Sequence, residues 1–322
     1  MNVNVISKSK LLANLDRVTG ERLPITADVF LTNYCNNHCS WCTYGRWQKD
    51  HEPGYMRFDV FRRILKRLLE IGVRGVILTG GGEPTINPDF ERICEELSAN
   101  AVPFGINTNF NEIRFVKPAF LKVSLDGYSD DSYAAIRKVH AYDKVRKNIR
   151  DYAEWKEKES PMTKLGIQMV VCEGSNIDAF YQANVDLPVD YIVFRPVEST
   201  GGCYYSTLAR KLEAEKAVEK IKELAAVDER IILNFKWEML TKRFDSCKAH
   251  WAQISVDERG NVIYCFHKPY EKIGSIFDPG IMEVYQAAVT DMGKCDIPCR
   301  LTAPNLFMEG LTQKNTEHGC FI

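Results

Sequence analysis

The 322-residue chain has no run of about 18 or more apolar residues, so no segment reads as a membrane span. Its start, "MNVNVISKSKLLANLDRVTGERLP", lacks the apolar stretch of a secretory signal, which points to a cytoplasmic setting. A charge excess is also missing: 42 Lys and Arg against 43 Asp and Glu leave a net charge of -1. There is no global basic field to hold a phosphate backbone, and nucleic acid is not favoured as a partner. No internal repeat or low-complexity tract argues for a solenoid or a long linker. With 45% hydrophobic and 26% charged residues, the composition is that of a globular protein, long enough for one α/β barrel or two domains.

Against that background the eleven cysteines need a reason. A reducing cytosol does not maintain structural disulfides, which makes metal binding or catalysis the expected use. Cys35, Cys39 and Cys42 crowd into "YCNNHCSWCTYG" (34–45), while Cys247, Cys265, Cys295, Cys299 and Cys320 gather in the last quarter. Cys94, Cys172 and Cys203 are scattered between. Cys94 and Cys172 are expected in packing, and Cys320 as a spare thiol.

Strand-like and helix-like segments alternate along the first two hundred residues. "ITADVFLT" (25–32) predicts a strand feeding into the cysteine loop, and the spacing of Phe58, Phe61, Ile64, Leu65, Leu68 and Leu69 predicts a helix over 57–72. "GVILTGGGEP" (75–84) predicts a strand breaking into a glycine turn. A helix follows over 87–100, with Asn87 as cap and Pro88 at its first position. Further strands are expected at "VPFGINTN", "FLKVSLDG" (120–127), "KLGIQMVV" (164–171) and "DYIVFRPV" (190–197), with helices over 130–158 and 176–186. Six strands alternating with helices imply parallel βαβ units, whose ligands sit beyond the carboxyl ends of the strands. The rhythm changes at "STGGCYYS" (199–206). A charged helix comes next, then a hairpin turned at Arg259, Gly260 and Asn261, then a short strand "IGSIFD".

Soft thiolates at close spacing suit zinc or iron-sulfur clusters. Three are one short of a closed tetrahedral site. His38 directly precedes Cys39 and would have to double back to become the fourth ligand, which disfavours local zinc. The spacing Cys-x3-Cys-x2-Cys after a first strand, with Trp41 before the third cysteine, resembles the signature of the radical S-adenosylmethionine (SAM) superfamily. In that family the three cysteines hold a [4Fe-4S] cluster whose open iron is chelated by the amino and carboxylate groups of SAM. One electron from the cluster then releases a 5'-deoxyadenosyl radical.

What the resemblance implies for this chain reaches beyond the loop. "TGGGEP" (79–84) matches the family's glycine-rich segment for the methionyl amino group, which nominates Gly80, Gly81, Gly82 and Glu83. Trp41 and Tyr44 flank Cys42 and join the cofactor set. Thr108 and Asn109 end the third strand, Ser124 and Asp126 the fourth, and Gln168 and Arg195 lie on the fifth and sixth; all resemble polar residues around SAM. For Asp126 a turn carboxylate, and for Arg195 a structural ion pair, stay open as alternatives. Arg195 and Cys203 are also candidate catalytic groups, Cys203 as a thiol hydrogen-atom donor.

The implied fold is α/β, a partial (β/α)6 barrel with a small C-terminal α+β auxiliary-cluster domain. The expected divisions are 1–24 as lead-in, 25–200 as barrel, 201–245 as a connecting helical segment and 246–322 as a domain of the "twitch" or SPASM kind. Cys247, Cys265, Cys295 and Cys299 are its expected ligands for an auxiliary [4Fe-4S] cluster, with structural zinc as the alternative.

The implied activity is radical abstraction of a hydrogen atom from a small-molecule substrate, for oxidation or epimerisation. An external reductant such as flavodoxin or ferredoxin would supply the electron. A peptide-modifying maturase is the enzymatic alternative, although about 24 residues before the first strand are too few for a leader-recognition domain. The ending "TEHGCFI" lacks the arginine-glycine tail of the family member that starts molybdenum-cofactor synthesis. A non-catalytic iron-sulfur or zinc protein would account for the cysteines but not for "TGGGEP".

Overall fold

All six expected parallel strands are present in a computed structural model that describes residues 12–198, 207–234, 236–237, 240, 246–248, 251–288, 290–291, 299 and 301–312. They are β1 (Thr26–Val29), β2 (Gly75–Leu78), β3 (Phe104–Thr108), β4 (Phe120–Ser124), β5 (Lys164–Val171) and β6 (Tyr191–Pro196), and neighbours pair in that order. The fold is α/β, with the parallel sheet of a partial barrel. Its strands are short apolar runs because both faces of a parallel sheet are covered: seven of the eight residues of β5 are buried.

The intervening helices are α1 (Gly45–Lys49), α2 (Phe58–Ile71), α3 (Phe90–Ala99), α4 (Asp130–Arg137), α5 (Tyr142–Glu159) and α6 (Ile177–Asn184). Helix α2 buries Phe61, Ile64, Leu65, Leu68 and Ile71 against the sheet, each side chain contributing roughly 1.5–3 kcal/mol. Gly72 ends it in the left-handed region at φ 87°, where its N–H donates to the carbonyls of Leu68 and Leu69.

Two helix expectations need correction. Helix α3 starts at Phe90, and Asn87 does not cap it: its amide donates to the carbonyls of Leu31 and Met56. The side chain is more useful tying the strand exits together than capping a helix three residues away. The helix expected over 130–158 is two helices, because Lys138 turns left-handed at φ 62°. Asp130 accepts from Tyr142 N–H at 3.1 Å and so starts the second. The break leaves the C-terminus of α4 at the cysteine loop.

The later elements extend the same sheet at both edges. After α7 (Leu208–Ala225), strand β7 (Ile231–Leu233) adds in parallel to β6, inside the segment expected to be a helical connector. β8 (Ser246–Cys247) precedes the hairpin of β9 (Gln253–Val256) and β10 (Asn261–Ile263), which continues into β11 (Lys272–Ser275). β9 pairs in parallel with β1, so the sheet runs β11-β10-β9-β1-β2-β3-β4-β5-β6-β7. Helix α8 (Ile281–Ala287), strand β12 (Thr290–Asp291), which pairs with β8, and helix α9 (Thr302–Thr312) complete the described chain. Among the described residues no helix is long and apolar enough to cross a membrane.

Candidate active site

A cavity of about 360 Å3 opens at the carboxyl ends of the strands. Cys35, Cys39, Cys42, Trp41 and Tyr44 line it from the loop after β1, and Gly80, Gly81, Gly82 and Glu83 from the turn after β2. Thr108, Asn109, Ser124, Asp126, Gln168 and Arg195 line it from β3 to β6. Cys203 and Cys295 lie outside the described residues, as does Cys320.

Two lines of hydrogen bonds fix the thiol loop. The final carbonyls of α4 have no partner inside the helix; His38 N–H donates to Arg137 O at 3.1 Å and Ser40 N–H to Ile136 O at 2.9 Å. On the other flank, Asn109 donates to Asn36 Oδ1 and Asn111 to Asn37 Oδ1, each at 2.6 Å. The loop is therefore pinned between the break after α4 and the exit of β3.

The glycine turn packs against the start of that loop. Gly82 N–H donates to Thr32 O at 2.7 Å and Glu83 N–H to Tyr34 O at 2.9 Å. A Cβ at Gly82 would sit 1.7 Å from Tyr34 O, and one at Gly81, where φ is 61°, 2.5 Å from Thr32 O. Only glycine permits this approach. The Glu83 carboxylate is wholly buried and occupied: Oε1 accepts from Thr85 N–H, Thr85 Oγ1 and Thr108 Oγ1, and Oε2 from Asn109 N–H at 2.7 Å. Glu83 and Thr108 thus join the turn to the end of β3.

Electrostatics around the thiols disfavours their ionised forms unless a cation compensates them. Burial, the nearby Glu83 and the two sister thiols push the Cys35 thiol up to about 12, and burial with Cys39 also raises Cys42. Three thiolates cannot share this pocket uncompensated, which is the condition that a bound metal cluster relieves. Among the described residues no three His, Cys, Asp or Glu groups come together as a metal-holding group; the three thiols share the cavity wall without closing on one point. Donors already aim at the sulfurs: Asn37 N–H lies 3.4 Å and Asn109 Nδ2 3.8 Å from Cys35 Sγ, and Arg137 Nη1 3.3 Å from Cys39 Sγ.

Arg137 is a site residue that the sequence reading missed. Burial alone would depress its guanidinium, but Asp126 and Cys39 outweigh burial and hold it above the ordinary arginine range. Asp126 faces Arg137 with one oxygen and accepts from Val170 N–H at 2.6 Å with the other. Its backbone is left-handed at φ 52°, a conformation that costs roughly 1–2 kcal/mol outside glycine. Asp126 is therefore not an ordinary turn carboxylate capping a helix. The only sequence signal for Arg137 is the helix break after it, and a periodic apolar pattern runs through that break.

Arg195 forms an ion pair, its Nη1 3.3 Å from Glu198 Oε2. Lys236 and His267 meet the same carboxylate. Tyr44 donates its hydroxyl to Phe266 O and packs edge-on against Phe30 at 5.4 Å, which joins the thiol loop to the hairpin. Trp41 hydrogen-bonds Cys172 at the end of β5.

Residues 29–157 match the family model of the Radical SAM superfamily. That stretch of the chain is a radical SAM domain. Radical SAM proteins use a [4Fe-4S] cluster and SAM, and the donor set described above, three open thiols beside a glycine turn, fits both. A GTP 3',8-cyclase of Clostridium perfringens is 28% identical over 171 residues, 47% of this chain and 47% of the cyclase. Another from Psychromonas ingrahamii is 20% identical over 177 residues, 52% of this chain and 49% of the cyclase. The chain spans about half the length of these radical SAM relatives.

The fold is shared more widely. SuiB of Streptococcus suis, described bound to S-adenosylmethionine, superposes with a TM-score of 0.66 at 16% identity, over 89% of this chain and 71% of SuiB. AnSMEcpe with bound AdoMet gives 0.62 at 17% identity, over 82% of this chain and 81% of its own.

Cys247, Cys265 and Cys299 do not line the cavity. Cys247 Sγ accepts from Asn305 Nδ2 at 3.3 Å, and Cys299 Sγ from Leu301 N–H at 3.3 Å. Tyr264, next to Cys265, donates its hydroxyl to Cys247 O at 3.3 Å. These bonds link the segments that carry three of the four expected auxiliary ligands.

Proposed function

We propose that the protein is an enzyme that cleaves SAM reductively and turns the resulting radical on a small polar substrate, for oxidation or epimerisation. The observation that carries this reading is the convergence of Cys35, Cys39, Cys42 and the glycine turn on one cavity. When bound, the cluster and SAM together supply a 5'-deoxyadenosyl radical able to take a hydrogen atom from an unactivated carbon. The chain's own residues bind, orient and exclude water. Cys35, Cys39 and Cys42 would hold the cluster, and the backbone of Gly80, Gly81 and Gly82 would face the methionyl ammonium of SAM, while Glu83 and Thr108 keep the turn in place. Asn109, Ser124, Asp126 and Gln168 supply polar partners for the ribose and the methionyl group.

Cys247, Cys265, Cys295 and Cys299 hold an auxiliary [4Fe-4S] cluster in this reading, and zinc is the competing occupant. Flavodoxin or ferredoxin delivers the electron in a cytoplasmic setting. Cys203 is the candidate hydrogen-atom donor for epimerisation. A peptide substrate is the second reading, supported by the fold shared with SuiB, which is described bound to its precursor peptide SuiA.

The test is anaerobic reconstitution followed by SAM and a reductant. The expected outcome is about eight irons per chain if both clusters are present, with release of 5'-deoxyadenosine. Protein with an intact cluster spectrum that releases none would sink the reading. Cys203→Ala separates the two chemistries: epimerisation predicts continued SAM consumption with loss of the inverted product.

A further inference from the structure

The short helix α1 follows the third front cysteine closely, in "CTYGRWQK" (42–49), and one of its side chains reaches the glycine turn. Gln48 Nε2 donates to Gly81 O, and both residues border the cavity. The helix that carries Gln48 is held at both ends. At its start Gly45 N–H donates to Cys42 O at 3.2 Å, and Tyr44 donates its hydroxyl to Phe266 O. Just past its end Tyr270 donates its hydroxyl to Asp50 Oδ2 at 2.7 Å. Gln48 is therefore presented to the turn by a clamped element, which lowers the cost of ordering its side chain around a ligand.

A carbonyl only accepts, so the Gln48 amide must turn its nitrogen toward Gly81 and keep its oxygen for another donor. That oxygen, Oε1, sits on the same carbon as the nitrogen and so stays beside the Gly81 carbonyl. Among the described residues Oε1 has no hydrogen-bond partner. Gly81 O keeps a second lone pair of its own. Two acceptors thus lie side by side at the cavity, one from the turn and one from the helix. The neighbouring carboxylate is engaged elsewhere, since Glu83 accepts four bonds from Thr85, Thr108 and Asn109.

On the radical SAM reading above, we infer that Gln48 Oε1 is a further acceptor for the amino group of SAM, next to Gly81 O. That amino group brings at least two N–H donors, whether its lone pair is free or shared with iron, and Gly81 O answers one of them. Gln48 acts through both ends of its amide. The nitrogen sets the direction of the Gly81 carbonyl, and the oxygen takes the second N–H.

The test is calorimetric titration of cluster-loaded protein with SAM under anaerobic conditions. Gln48→Met removes the amide and should weaken SAM binding about tenfold, the loss of one hydrogen bond from a charged or metal-bound donor. Gln48→Glu keeps an acceptor without the donor and should fall well short of that loss. A SAM analogue with hydrogen in place of the amino group is the control, and wild type and both variants should bind it alike. Gln48 is half-buried on the helix surface, and iron content with melting temperature checks that the variants fold. If Gln48→Met does not, Gln48→Ala takes its place.

Unchanged or tighter SAM binding in Gln48→Met, an equal loss in Gln48→Glu, or an equal loss with the analogue would overturn the inference. The last two outcomes would leave Gln48 only a prop for the turn. Wild-type protein that binds SAM and releases 5'-deoxyadenosine while the variants bind SAM normally overturns this inference alone. Protein that shows the full Gln48 pattern but releases none sinks the radical reading and leaves the SAM contact standing, and wild-type protein that binds no SAM removes both.

Discussion

The two thiol groups of this chain are held in different ways. At the front, Cys35, Cys39 and Cys42 sit on a loop pinned by α4 carbonyls on one flank and an asparagine pair on the other, with a buried guanidinium at one sulfur. At the rear, Cys247 is on a two-residue strand and Cys299 precedes α9; Cys247 Sγ accepts from the Asn305 amide, and Cys299 Sγ from Leu301 N–H and Thr302 Oγ1. The front arrangement orients an incomplete ligand set toward a cavity. The rear one keeps Cys247, Cys265 and Cys299 off that cavity, and among the described residues they do not come together as a metal-holding group. Hydrogen bonds to ligating sulfurs tune a cluster, and the front set has a charged donor, the Arg137 guanidinium.

The largest effect is expected where the front set is cut. Cys35→Ala should abolish 5'-deoxyadenosine release, whereas Cys247→Ala should retain release and lose only the iron of the rear site; iron analysis beside product chromatography checks both. Equal loss of activity in the two variants would erase the contrast.

Next in size is Arg137→Met. It leaves Asp126 buried without its cation, at a cost of about 3–5 kcal/mol, and removes a donor from Cys39. Denaturation should show the loss of stability and an EPR-monitored redox titration a lower cluster potential, with Arg137→Lys closer to wild type in both. An unchanged potential in a folded Arg137→Met protein would separate the guanidinium from the cluster.

A smaller effect is expected at the rear. Asn305→Ala removes the donor to Cys247 Sγ and the acceptor for Lys248 N–H, about 1 kcal/mol for the exchanged bond. Metal retention during chelator challenge should fall at the rear site while the front site holds.

The smallest effect concerns the scaffold alone. Burial would raise the Asp190 carboxyl, but Leu165 N–H and Lys156 hold it below the ordinary carboxylate range. A carboxyl depressed in the folded state stabilises above its unfolded pKa of about 3.9, and that contribution fades as pH falls through the folded value. Asp190→Asn should therefore be less stable than wild type near neutrality, with the gap closing in acid; urea titrations across that range give the answer.

Much of this could be read before the structure. The β-rich runs and the helix over 58–71 announced themselves through periodicity and glycine stops, and the fifteen front residues named as candidates all border one cavity. What stayed hidden depended on distant partners. Arg137 reads as one more charged residue in a helix, because the left-handed turn at Lys138 carries no glycine to mark it. Glu198, Lys236 and His267 lie far apart in sequence and share no spacing. Asn87 showed a capping residue type, yet tertiary contacts to Leu31 and Met56 claimed its amide.

The pairing of β9 with β1 also bears on how the enzyme is made. During synthesis the outer edge of β1 stays unfilled until residues 253–256 have left the ribosome, more than two hundred residues after β1 itself. Such a long-range pairing forms late because its loop must close first. The thiol loop leaves that same strand, so iron delivered to a nascent chain meets a cavity still lacking Phe266 and His267. A chain stalled before the hairpin would leave that side of the thiol loop uncovered.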